Sequence, residues 1–148
     1  MANVVQQIHE AIKSLAATTL GADYNEMPRI LVPEENDLRT GAKAYGVRHL
    51  SGSYADGVTR AYTMDLGFEL ILTDRIADRN SDANAQVVFN ALHDKADAFL
   101  VQAFLTKVGL PTIVLVVNQP TFSEPQVMPN GLALLRVGFN VKYRQDIA

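Results

Sequence analysis

The sequence contains no cysteine and no tryptophan. The first absence excludes disulfide frameworks, thiolate nucleophiles, iron–sulfur clusters and cysteine-ligated zinc. It leaves the redox compartment open. Aromatic residues are 7% of the chain, too few and too scattered to form the arginine–aromatic stripe that stacks bases. Lys and Arg number 13 against 16 Asp and Glu, so the basic excess of a protein that wraps duplex DNA is missing. The longest strongly apolar run is Ile113 to Val117, far short of the roughly 20 residues of a membrane-spanning helix. The N-terminal stretch has no basic region followed by an apolar one and does not read as a signal peptide. A soluble protein made in the cytoplasm is the expectation.

The familiar catalytic signatures are also missing. There is no P-loop, no GxGxxG after a strand, no HExxH and no GxSxG elbow. A lone Ser51-Gly52-Ser53 is too short to specify a phosphate cradle. His9, His49 and His93 are dispersed, and no spacing suits a transition metal. Asp78-Arg79-Asn80-Ser81-Asp82 opens like a calcium loop, but the glycine position is Ala83 and the bidentate carboxylate position is Phe89. His93 and Asp97 are spaced to share a helix face, and the expected contact is a surface hydrogen bond. The expectation is therefore a protein that is not an enzyme and has no catalytic residues, metal or cofactor.

What is present is one domain's worth of apolar patterning. The chain has 148 residues, 48% of them hydrophobic, enough for a single core without staples. Val4, Val5, Ile8, Ile12 and Leu15 recur at helical period, giving an N-terminal helix that ends near Gly21. Residues 22–44 are irregular, with Ile30 to Val32 set between Pro28 and Pro33, and read as an extended arm or edge strand. Tyr45 to Leu50 reads as a short strand and Ser51 to Gly57 as turn chemistry. From Arg60, the even positions Tyr62, Met64, Leu66, Phe68, Leu70 and Leu72 alternate with polar neighbours, a strand with one packed face.

Asp74 to Asp82 is a charged loop. A long helix follows from about Ala83 to Lys107, with Val88, Phe89, Leu92, Ala96, Phe99 and Leu100 on its stripe. Gly109 and Pro111 end it. Thr112 to Val117, apolar on both faces, reads as a central strand. Pro120 to Asn130 reads as a loop. Gly131 to Arg144 is the final strand, with Val137, Phe139, Val141 and Tyr143 facing one way and Gly138, Asn140, Lys142 and Arg144 the other. The fold class is α+β: a single domain over 1–148, with a mostly antiparallel β-sheet packed by an N-terminal helix and one long central helix.

The order of these elements over roughly residues 45–146, closing on Val-Gly-Phe-Asn-Val-Lys-Tyr-Arg at 137–144, resembles the tail-terminator and neck proteins of long-tailed bacteriophages. The resemblance implies a structural virion protein of the tail or neck, assembled in the host cytoplasm. The subunit would form a homo-oligomeric ring, commonly a hexamer, that caps the tail tube and joins it to the head connector. A head-completion, connector or other neck or tail subunit is the first alternative, and a small enzyme or ligand-binding domain the second. The implied partners are other copies of the chain, the tail tube protein and head–tail connector proteins. DNA would pass through the lumen without specific binding, and no membrane is involved. The arm and the two charged loops are the expected assembly contacts: Arg29, Ile30, Leu31, Val32, Glu34, Glu35, Arg39, Arg75, Asp78 and Arg79. An arm of this kind adds to a neighbour's sheet edge.

Overall fold

The computed structural model describes residues 4–27, 43–58, 61–77, 82–103, 114–128 and 131–146. Helix α1 spans Val4–Leu20. It turns its 3.6-period stripe inward, burying Ile8, Ile12, Leu15, Ala16 and Leu20. It stops where Gly21 takes a φ of 92°, the left-handed conformation that only glycine adopts without strain. The Gly21 amide donates to the Ala17 carbonyl (3.2 Å), closing the last turn.

The chain then reaches β1, Asn25–Glu26, which pairs in parallel with the start of β2, Ala44–Val58. β3, Ala61–Arg75, pairs antiparallel with β2 along nearly its whole length. Helix α2 spans Asp82–Val101. β4, Val114–Phe122, and β5, Gln126–Val127, both pair antiparallel with β6, Leu132–Asp146. The six described strands form one sheet in the order β1-β2-β3-β6-β4, with β5 also on β6. All pairs except β1–β2 are antiparallel. The α+β class with two helices on a mostly antiparallel sheet is as expected.

Both helices lie on one face of this sheet. The even positions of β3 and the odd positions of β6 point at them: Leu66, Phe68, Leu70 and Leu72, and Leu135, Val137, Phe139 and Val141, all buried. The alternation in the two strands predicted this facing. Register locks it, with Phe68 opposite Phe139 and Leu70 opposite Val137; a one-residue slip would turn the whole set to the other face. Phe139 touches Phe68 (centroids 6.1 Å) and Phe99 of α2 (5.5 Å), so it links both strands to the helix. The His9 Nε2–H donates to the Val47 carbonyl (2.9 Å), tying α1 to β2. Lys95 of α2 reaches the Leu20 carbonyl at the C-terminal end of α1 (3.4 Å), where a cation is favoured. A second apolar cluster, Met27, Ala44, Ile71, Met128, Leu132 and Leu134, sits on the other face at one end of the sheet.

Several expectations are corrected. Residues 51–57 are strand, not turn. β2 continues through them because its partner β3 supplies a full ladder, and two irregularities, between His49 and Ser51 and between Tyr54 and Asp56, absorb the mismatch. Gly52 lies close under β3 there: a Cβ would be 2.9 Å from Leu66 Cδ2, so that side chain would have to shift to admit one. β4 lies at the end of the strand order, not in the middle; Pro120 falls in its irregular stretch between Asn118 and Thr121, the edge placement that proline favours. β4 and β5 also extend into 120–130, read from sequence as loop. The irregular 22–44 segment is in part integral to the fold. Met27 is buried and its amide donates to the Tyr45 carbonyl (2.8 Å).

Tyr24 gives the fold an alkaline limit. Burial, and then the nearby Asp74 and Asp23 carboxylates, push its hydroxyl from 10.0 up to about 12. The folded state therefore holds the proton over a range where the unfolded chain releases it. The stability this contributes is complete below about pH 10 and is lost as pH rises toward 12. Tyr45 and Tyr143, raised chiefly by burial, act in the same direction. Urea midpoints measured across this range should fall with pH, and less steeply in Tyr24→Phe. Identical slopes for the two proteins would remove Tyr24 from this account.

Candidate assembly surface

Of the residues expected at assembly contacts, Arg29, Ile30, Leu31, Val32, Glu34, Glu35, Arg39, Asp78 and Arg79 lie outside the described residues. Arg75 is described. It is exposed at the end of β3, opposite Leu132, and its amide donates to the Asp74 carboxylate (2.7 Å). The structure thus brings none of the ten into a common described site.

It does bring together a group that the sequence reading missed. On the sheet face away from the helices, Glu69 of β3 accepts two charged hydrogen bonds on a single oxygen. Arg48 Nη2 of β2 approaches Oε1 at 2.9 Å and Arg136 Nη1 of β6 at 3.1 Å. The Glu69 side chain is 13% exposed and the arginines 25% and 28%. Two guanidiniums on one carboxylate leave a net positive charge and N–H donors to spare. Arg48 Nε is buried with no hydrogen-bond partner among the described residues, as is Asp65 Oδ1 further along β3.

Beside this triad, neighbouring side chains close over Gly67: a Cβ there would lie 3.2 Å from Ser51 Oγ. Gly67 stands opposite Asn140, and Gly138 opposite Glu69. A Cβ at Gly138 would meet nothing nearer than the Thr121 carbonyl at 3.9 Å. Lys142 stands opposite Asp65, and Arg144 opposite Thr63. Four cationic side chains (Arg48, Arg136, Lys142 and Arg144) therefore share this face with the carboxylates of Asp65 and Glu69. Residue parity on β3 and β6 was legible in the sequence; the facing of Arg48 on β2 and the register that joins it to Glu69 and Arg136 were not.

The rest of the described surface offers little chemistry. An open depression of about 240 Å³ is lined by Glu10, Lys13, Ser14, Ala17, Glu26 and Tyr45. It is bridged by an exposed Lys13–Glu26 pair at 2.8 Å, a surface contact worth little. Among the described residues, no three His, Asp or Glu side chains are grouped to hold a metal. His93 lies on the Phe122 ring (centroids 4.4 Å) instead of meeting Asp97. No described helix is long and apolar enough to cross a membrane. No protein-family model matches this sequence, and no curated protein matches it.

Proposed function

We propose that this chain is a structural subunit of a phage tail or neck, a tail terminator whose copies close into a ring between the tail tube and the head connector. The observation that carries the reading is the one-sided architecture. Two helices cover one face of a long sheet, while the opposite face carries the Arg48–Glu69–Arg136 group and has no helix on it among the described residues. Helices packed on one face of a sheet among the described residues leave the other face for further packing, and a partner subunit is one way to supply it. The order behind the resemblance, a strand, a long helix, a further strand and a closing strand, matches β3, α2, β4 and β6 along the chain, which supports the reading. The role is mechanical, without catalysis, and DNA passes through the lumen unbound.

The test is the native mass of the purified protein over a concentration series, with negative-stain images of the same samples, alone and with tail tubes. Closed rings with a central hole, or rings seated on tube ends, are the expected result. A strict monomer in both settings removes the proposal.

A further inference from the structure

β2 has 15 residues, and on its outer side, among the described residues, β1 pairs with two of them. The Asn25 and Met27 amides donate to the carbonyls of Lys43 (3.0 Å) and Tyr45 (2.8 Å). Carbonyls of alternate residues point to the same side of a strand. The next in that series belongs to Val47, and it receives a side chain: the His9 Nε2–H of α1, at 2.9 Å. The His9 ring also lies against Phe68 (centroids 5.9 Å), so the core holds it in place. One turn further along α1, Lys13 reaches Glu26 of β1 at 2.8 Å. The flank of α1 therefore follows this edge, with Lys13 beside β1 and His9 just past its end.

Beyond Val47 the strand stays at the surface. His49, Leu50, Ser51 and Gly52 are exposed, Leu50 at 49%. The pairing with β3 is irregular between His49 and Ser51, and the His49 Nε2–H donates to the Ser51 carbonyl (3.1 Å). A long outer strand is a template for a strand of another chain, and proteins blunt such edges with bulges, charged side chains and short covering segments. This edge carries a short strand, a helix side chain and an irregularity in succession.

We propose that the flank of α1 is an edge guard: His9 occupies the β2 acceptor just past β1 and so blocks a strand of a second copy from adding there. The excluded partner is a second copy because every copy presents the same β2 edge to the others. Two such edges pair isologously, and that contact closes as a dimer. It would take subunits out of any head-to-tail series. A side-chain donor suits the role. It satisfies one carbonyl without presenting the further donors and acceptors through which an added strand binds. The guard does not depend on the ring reading; it states a contact that the chain avoids.

The absence of cysteine makes an introduced thiol unique. Leu50→Cys, on the exposed stretch beside the guard, is treated with a short bis-maleimide alone and in combination with His9→Leu or His9→Gln. Leucine keeps an apolar contact with Phe68 and loses the donor. Glutamine places an amide N–H near the same carbonyl. His9→Leu should raise the yield of cross-linked Leu50→Cys dimers about fivefold or more, the weight of one lost hydrogen bond. His9→Gln should return it toward the level seen with His9 intact. His9→Met replaces His9→Leu if the latter lowers the unfolding midpoint. Val87→Cys, at a position of α2 that is 68% exposed, is the control, and its dimers should not respond to the change at His9. Abundant Leu50→Cys dimers with His9 intact, equal yields in the three proteins, or a parallel rise in the Val87→Cys control overturns the guard.

Discussion

Replacing Phe139 with alanine should lower the unfolding free energy by about 3–5 kcal/mol. The chain is expected to be stable by only about 5–15 kcal/mol in total. Phe139 is 2% exposed and sits on β6, between β3 and β4 in the sheet. Its ring meets Phe68 on the neighbouring strand and Phe99 on α2. Truncation therefore forfeits the transfer energy of a large side chain and leaves a cavity between rigid layers that relaxes only in part. At this length about 3–4 kcal/mol corresponds to a loss of roughly 10 °C in Tm. Phe122, half-buried against His93 at the β4 edge, is the internal control, and its alanine variant should cost clearly less. Denaturant midpoints of the two variants decide the matter: equal effects, or a negligible one at Phe139, would contradict the packing described here.

The contrast between those two positions also marks how far the sequence could be read. The alternation from Tyr62 to Leu72 and from Val137 to Tyr143 revealed both buried faces, because a strand covered on one side must repeat every second residue. The stripe of α1 and its glycine stop were equally plain. Local chemistry misled where tertiary pairing overrode it. Ser51 to Gly57 carries turn residues, yet β3 holds it as strand through two irregularities. The apolar run at 112–117 suggested a central strand, yet β6, later in the chain, inserts between β3 and β4 and leaves β4 at the edge. Period-2 patterning reports which side of a strand is buried and says nothing of which strand lies beside it. For the same reason the Arg48–Glu69–Arg136 triad was invisible. Its members come from three strands, and only register joins them. Of the contacts expected from the arm and the charged loops, only Arg75 is described, at the end of β3 opposite Leu132.

The triad gives the second large effect. Glu69→Ala should destabilise the isolated subunit by about 2 kcal/mol, with most of the loss recovered in high salt. Glu69 is the common acceptor of two guanidiniums. Without it, Arg48 and Arg136 keep their charges on the same sheet face and lose their counter-ion. Removing one member of a fully buried ion pair costs about 3–5 kcal/mol because the remaining charge is uncompensated. These arginines retain 25% and 28% exposure, so water screens part of that penalty and the lower figure applies. The residual repulsion is Coulombic. Raising ionic strength toward about 1 M, where the Debye length is about 3 Å, should narrow the gap between variant and wild type. Glu69→Gln, which keeps an acceptor but loses the charge, should fall between the two. Urea midpoints at low and high salt for the three proteins separate the possibilities. A deficit unchanged by salt would assign the role of Glu69 to packing, and no deficit at all would mean the two arginines are held in place without it.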